Sequence, residues 1–268
     1  MSQRPVSKRV RSIFVSDLHL GMRSSKSADL CAFLSVYEAD NLFLVGDIVD
    51  SWKLRKRWIW PEAYNHLVMM LIRLADKGTR VVILPGNHDA FLKRFTGVTF
   101  GQIELHERYV HAAANGKRYL VLHGDQFDGV VSQYGWLSRL GHWAYDLALM
   151  LNRPINALRV LLGWNYWSLS KWGKRQVRQI GDIKNWFAEA LAGEAAEAGA
   201  DGVICGHIHI AEMHNDYGID YLNCGDWVEN RTAIIETLDG RFELLSWQPQ
   251  PLETQDDSAL TGKAFAHG

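Results

Sequence analysis

Short apolar runs alternate with amphipathic stretches through the first third of the chain. Ile13 to Val15 reads as a buried strand, Leu30, Phe33, Leu34 and Tyr37 recur at helical spacing, and Leu42 to Val45 forms a second strand-like run. This is a βαβ opening. Pro61 can begin another amphipathic helix through Leu67, Met70, Leu71 and Leu74, Gly78 ends it, and Val81 to Leu84 follows as a strand. From Tyr109 the pattern changes to hairpins. Asn115-Gly116 separates Arg108–His111 from Tyr119–Leu122, and Asp239-Gly240 separates Ala233–Thr237 from Phe242–Trp247. Parallel units and antiparallel hairpins together predict an α/β architecture of two packed sheets flanked by helices.

Between Gln126 and Ala200 the pattern is helical. Trp136, Leu140, Trp143, Leu147 and Leu151 share one helical face, Pro154 can open a further helix and Gly163 can end it. The expected organisation is one domain over residues 1–268, with a helical insertion at 126–200 and a loose tail at 249–268. Within the insertion, Lys171, Lys174, Arg175 and Arg178 fall on one face of a helix, although Gly173 and Gly181 weaken it.

The apolar share of 47% and charged share of 22% belong to an ordinary soluble globular chain. Lysine and arginine total 29 against 30 acids, so the net charge of -1 gives no overall attraction to polyanions, and nucleic acid is not an expected partner. Cys31, Cys205 and Cys224 are far apart and odd in number, which argues against a disulfide framework or a thiolate zinc site and fits a reducing cytoplasm. The basic stretch Met1 to Ser12 runs into a strand without an apolar signal-peptide core. Charged and polar residues interrupt the longest apolar region, Trp143 to Trp164, so no membrane span is expected.

Five short motifs follow apolar runs and carry imidazole, carboxylate or amide donors: Asp17-Leu18-His19, Gly46-Asp47-Ile48-Val49-Asp50, Gly86-Asn87-His88-Asp89, His123-Gly124-Asp125 and Gly206-His207-Ile208-His209. Loops at strand ends are where α/β folds place their sites, and glycines there let backbone approach a ligand closely. A lone Gly-Asp after a strand is commonly just a turn. The ordered set of five carries the inference, because its donors together match a site for two metal ions.

The order D-x-H, G-D-x-x-D, G-N-H-D/E, H and G-H-x-H resembles the signature of the calcineurin-like metallophosphoesterase superfamily, from Ile13 to about Asp226 apart from the insertion. The resemblance implies a four-layer α-β-β-α sandwich with the helical insertion as a lid. It implies that Asp17, His19 and His209 bind one metal, that Asn87, His123 and His207 bind the other, and that Asp47 bridges them. Two cations about 3.5 to 4 Å apart activate a water and neutralise the charge that develops on a phosphoryl group. Mixed imidazole and oxygen donors suit Mn, the expected ion, or Fe or Zn, better than Ca or Mg. By the same resemblance His88 stands near the leaving-group oxygen as a general acid or charge stabiliser, oriented by Asp89, and Asp50 braces a ligand.

Within the superfamily the chain is similar to the bacterial UDP-2,3-diacylglucosamine hydrolases, which cleave a pyrophosphate in the lipid A pathway and release UMP. Asp17-Leu18-His19-Leu20, an insertion after His123, and Gly225-Asp226-Trp227-Val228-Glu229 carry this likeness. It implies a nucleotide-linked lipid as substrate and a cytoplasmic protein peripheral on the inner face of the membrane. Acyl chains call for apolar surface, for which Trp52, Trp58 and Trp60 ahead of the insertion, and Trp136, Trp143, Trp164, Trp167, Trp172 and Trp186 within it, are candidates. Lys171, Lys174, Arg175 and Arg178 are candidates for a nucleotide phosphate or an anionic membrane surface; tryptophans in a core and charges facing water are the competing readings. One departure is visible: the best-known form of that hydrolase has arginine where this chain has His88. Another phosphomonoester or phosphodiester is therefore a competing substrate. A non-catalytic scaffold is a third reading, but such proteins lose ligands or the His88 equivalent, and this chain keeps both.

Overall fold

Strands whose two faces are both covered must be apolar at every position, and the continuous runs of this chain feed two cores in alternation. The computed structural model describes residues 8–127 and 184–248. In β1 (Lys8–Val15), Ile13 and Val15 pack outward beneath helices, while Phe14 points to the opposite face. In β2 (Tyr37–Val45) Leu42 and Leu44 face the helices and Phe43 and Val45 face inward, and in β3 (Arg80–Leu84) Val81 faces out and Val82 and Leu84 in. The parallel register pairs Phe14 with Phe43 and Phe43 with Val82, which aligns the inner face across three strands. The Phe14 and Phe43 rings stack at 4.5 Å.

Antiparallel hairpins extend this framework. The first sheet has seven strands in the order β12-β11-β1-β2-β3-β5-β4, with β4 (Thr99–Phe100), β5 (Ile103–Leu105), β11 (Thr232–Glu236) and β12 (Phe242–Ser246). The second has five, in the order β6-β7-β8-β10-β9: β6 (Tyr109–Ala112), β7 (Arg118–Val121), β8 (Gly202–Cys205), β9 (Glu212–His214) and β10 (Asp220–Asn223). Tyr119 and Val121 of β7, Ile204 of β8 and Leu222 of β10 meet Phe14, Phe43 and Val82 in the core between the sheets.

Helices cover the outer faces. Leu30, Phe33 and Leu34 of α1 (Ser27–Val36), with Tyr64 and Leu67 of α3 (Glu62–Asp76), close the first sheet; Pro61 stands just before α3, where its missing N–H is harmless. A short α2 (Ser51–Lys56) connects β2 to α3. On the far side, α4, residues 184–197, buries Phe187, Leu191 and Ala195 against Leu120, Val203 and Tyr221. The architecture is thus the four-layer α-β-β-α sandwich. Residues 184–197 were expected within the insertion at 126–200. They instead form an outer layer of the sandwich, because Phe187, Leu191 and Ala195, four residues apart, give the helix a fully apolar stripe. Residues 128–183, with the lid expected there, and the tail at 249–268 lie outside the described residues.

One polar group ties the sheets together. The buried carboxylate of Glu236 on β11 accepts from Ser12 Oγ at 2.6 Å, pairs with Arg11 Nη1 at 3.0 Å and His111 Nε2 at 2.7 Å, and accepts from the Ala114 N–H at 2.8 Å. His111 belongs to β6, so this network joins the two sheets.

Candidate metal centre

β1, β2, β3, β7 and β8 run parallel within their sheets, and their carboxyl ends open into the five loops that carry the motifs. These loops are bonded to one another: the Asp17 N–H donates to the Gly46 carbonyl at 3.1 Å, the His19 N–H to the Asp47 carbonyl at 2.9 Å, and the Gly206 N–H to the His123 carbonyl at 3.2 Å. Their donor side chains converge. His209 Nε2 lies 3.1 Å from Asp17 Oδ1 and 3.3 Å from His19 Nε2. Asp47 Oδ2 lies 3.4 Å from His123 Nε2 and 3.7 Å from His19 Nε2, which sets it between the two histidine groups. Asp17, His19 and His209 form one cluster able to hold a metal, and Asp47, His123 and His207 form another. With its nitrogen turned towards the carboxylate, the Asn87 amide reaches both Asp47 oxygens at 3.2 and 3.3 Å. Turned the other way, its oxygen faces that carboxylate and requires a cation between them.

The backbone is bent to bring these donors inward. Asp17, His19, Asp47, His207 and His209 all have left-handed φ, between 47° and 72°. Such conformations cost about 1–3 kcal/mol each in a non-glycine residue and collect where function requires them. Glycines supply the clearance. A Cβ on Gly86 would stand 2.3 Å from Asp47 Oδ1 and 2.5 Å from the His123 ring, and one on Gly206 would stand 2.6 Å from Asp17 Oδ2.

Contacts behind the donors fix their orientation. His123 Nδ1 bonds the Val45 carbonyl at 3.0 Å, which leaves Nε2 with its lone pair aimed into the cluster. Asp17 Oδ2 accepts the His207 N–H at 2.9 Å, and Asp47 Oδ1 accepts the His88 N–H at 2.9 Å, so each carboxylate offers its second oxygen inward. Asp17 Oδ1 and His123 Nε2 are buried and have no hydrogen-bond partner among the described residues, the pattern expected of metal ligands. Electrostatics agree. Burial opposes charge on the imidazoles, yet the carboxylates beside them win: Asp17 and Asp50 with Asp47 push His19 up to about 9, and Asp47 with Asp17 pushes His123 up to about 10. Burial likewise raises Asp17 and Asp47, but the surrounding histidines hold both below the usual carboxylate range. The pocket favours positive charge, and this donor set fits divalent cations.

His88 stands at the edge of the cluster, with Nε2 3.8 Å from Asp47 Oδ2. Its neighbours differ from the sequence expectation. Asp89 does not reach the imidazole, because its buried carboxylate accepts the Gly86 and Ile48 N–H groups, each at 2.7 Å, and the Val49 N–H at 3.3 Å. Asp89 joins the second and third motif loops instead. The carboxylate beside His88 Nδ1 is that of Asp50, at 3.2 Å, and the same Oδ2 lies 3.7 Å from His19 Nδ1. Trp52 lies against the His88 ring, with ring centroids 4.2 Å apart. Sequence reading gave no role to Asp226, which accepts the Val228, Glu229 and Asn230 N–H groups, while Asn230 Nδ2 donates to the His209 carbonyl at 3.2 Å. The signal was its place in Gly225-Asp226-Trp227, just downstream of the last ligands. Trp136, Trp143, Lys171, Lys174, Arg175 and Arg178 lie outside the described residues.

The fold and this cluster define a metallophosphoesterase. The model of the calcineurin-like phosphoesterase family matches residues 10–211, and the chain belongs to that family. It is a metal-dependent hydrolase acting on phosphoric esters or anhydrides. Among curated proteins it is similar to UDP-2,3-diacylglucosamine hydrolases. That of Ralstonia nicotianae is 28% identical, over 80% of this chain and 82% of that protein. Those of Neisseria meningitidis serogroup B and Haemophilus influenzae are 28% and 26% identical, over 85% and 84% of this chain and 93% and 94% of theirs.

Proposed function

We propose that the chain hydrolyses UDP-2,3-diacylglucosamine at its pyrophosphate, giving UMP and 2,3-diacylglucosamine 1-phosphate, on the cytoplasmic face of a membrane. The observation that carries a dinuclear reading is the position of Asp47, within 3.7 Å of ligand atoms in both histidine groups. Asp17, His19 and His209 would hold one divalent ion and Asn87, His123 and His207 the other, with Asp47 shared; Mn is the favoured ion. When bound, the two ions activate water and neutralise charge on the phosphoryl oxygens. The chain's own residues do the rest. The Asp50 carboxylate lies 3.2 Å from His88 Nδ1 and favours charge on that ring, whose Nε2, 3.8 Å from Asp47 Oδ2, can donate a proton to the departing phosphate oxygen. Trp52 packs against that ring and limits its rotation. The substrate assignment rests on the similarity to the three hydrolases, which spans 80–85% of this chain.

The test is release of UMP from UDP-2,3-diacylglucosamine by the manganese-loaded protein. No UMP release, alongside hydrolysis of simple phosphodiesters, would refute the substrate and leave the metal chemistry standing. His88 favours that second reading, because the best-known hydrolase of this kind carries arginine there. A panel of pyrophosphates, cyclic nucleotides and monoesters separates the two.

A further inference from the structure

The turn from Asn223 to Arg231 supplies no candidate metal ligand, yet it is bonded to both loops that supply Asp17, His19 and His209. Towards the first loop, the Trp227 N–H donates to the Asp17 carbonyl at 3.1 Å, and the Gly225 carbonyl accepts from Ser16 Oγ at 2.8 Å. Towards the last loop, Asn223 Nδ2 donates to the Gly206 carbonyl at 2.9 Å and Asn230 Nδ2 to the His209 carbonyl at 3.2 Å. Among the described residues, no hydrogen bond joins this turn to the loops that carry Asn87 and His123.

Two of these bonds fall on strained backbone. Asp17 and His209 have φ of 54° and 58°, and the turn grips the carbonyl of each, while their side chains meet at 3.1 Å. Left-handed conformations in non-glycine residues persist only where the surroundings over-determine them. The turn is rigid enough to impose that constraint. Buried Asp226 accepts the Val228, Glu229 and Asn230 N–H groups and also Asn230 Nδ2, which aims the amide at His209. Arg231 pairs with Asp29 of α1, the Trp227 carbonyl accepts the Lys26 N–H at 2.8 Å, and the Thr232 N–H returns to the Asp226 carbonyl at 3.2 Å.

We infer that Asp226 and Asn230 are positioning residues for one of the two cations, the one held by Asp17, His19 and His209, and that they set its affinity without touching it. The inference rests on the two-ion reading proposed above. Without the Asn230 amide, the His209 backbone is free to leave its left-handed conformation and carry the imidazole away from Asp17. The position built on Asn87 and His123 has separate supports, such as the Val45 carbonyl on His123 Nδ1, and is unaffected.

Manganese binding to the full-length protein is titrated by calorimetry, no substrate being present. Asn230 is exposed, so Asn230→Ala leaves the fold intact and its metal-free melting temperature should match that of the wild type. The wild type should take two ions; Asn230→Ala should weaken one of them about tenfold and Asp226→Asn about 10–100-fold, the other ion keeping its affinity. Hydrolysis by Asn230→Ala should fall at limiting Mn and recover at saturating Mn. Double variants assign the position. In a His209→Ala protein, which has already lost a ligand of that position, Asn230→Ala should change nothing further, whereas with His123→Ala it should still weaken the remaining ion about tenfold. Unaltered affinity for both ions in Asn230→Ala, or equal weakening of the two, overturns the inference and leaves the two-ion reading standing. A wild type that binds fewer than two ions refutes that reading, and the inference with it.

Discussion

Gly86→Ala isolates the demand that the metal cluster makes on the backbone. Gly86 is not among the positive-φ residues, so an alanine there is opposed by contact alone. The new Cβ would lie 2.3 Å from Asp47 Oδ1, where ordinary contact begins at 3.4 Å, so the Asp47 carboxylate must retreat by about 1 Å or the His123 ring must tilt away. Overpacking of this kind costs about 1–3 kcal/mol of stability. Displacement of a reacting or ligating group by about 1 Å costs on the order of 100-fold in rate. The variant should therefore melt a few degrees lower, bind Mn on the order of 10–100-fold more weakly, and lose activity by about 100-fold even when metal is saturating. The control is Gly116→Ala, at φ 84° with open space around the added Cβ: it should lose about 1 kcal/mol through backbone strain and keep its metals and rate. Titration calorimetry with Mn and steady-state hydrolysis read both variants. Unaltered metal affinity and turnover in Gly86→Ala would refute the reasoning, because Asp47 would then tolerate displacement.

Asp50→Asn keeps a good helix cap for α2 but removes the charge 3.2 Å from His88 Nδ1; at saturating metal, kcat should fall about 10–100-fold with little change in KM, and an unchanged kcat would remove Asp50 from the account. Glu236→Gln should destabilise the protein by about 3 kcal/mol near neutral pH, roughly 6–12 °C in melting temperature, because it dismantles the network between the sheets. Burial raises the Glu236 carboxyl, but its bonds to His111, Ser12 and the Ala114 N–H outweigh that and hold it below the ordinary value. Its contribution is thus present above the unfolded value, about 4.3, and is lost as pH falls through the folded one, so wild type and variant should converge in stability on acidification. A difference that grows towards acid would contradict this. Gly193→Ala, in α4 with nothing within 4 Å of the added Cβ, should stabilise by about 0.5–1 kcal/mol in chemical denaturation, and a loss would show that the site is not ordinary helix.

Legibility in the sequence followed the range of the forces involved. Strands with two buried faces showed as unbroken apolar runs, and the Asn115-Gly116 and Asp239-Gly240 turns stood out because their chemistry is local. The short α2, whose residues are exposed or half-buried, left no periodic signal, and the small β4–β5 and β9–β10 pairings join edges too brief to pattern. α4 was expected within the insertion because helical spacing of apolar residues runs on through this part of the sequence; its packing on the second sheet is a long-range contact that spacing does not encode. The metal donors were legible as residue types at loop ends. Which carboxylate faces His88 was not, since Asp89 adjoins it in sequence while Asp50 reaches it through a contact between separate loops. Arg80 and Arg231 pair with Glu104 and Asp29 across distances that no local pattern encodes.

The most direct measurement counts Mn bound per chain, by elemental analysis of gel-filtered protein and by calorimetry, in the wild type and in Asp47→Asn. Two ions in the wild type, falling to one or none when the shared carboxylate is neutralised, is the predicted result. A wild type that holds fewer than two at saturation, or an Asp47→Asn protein that keeps both with undiminished affinity, contradicts the shared-carboxylate site.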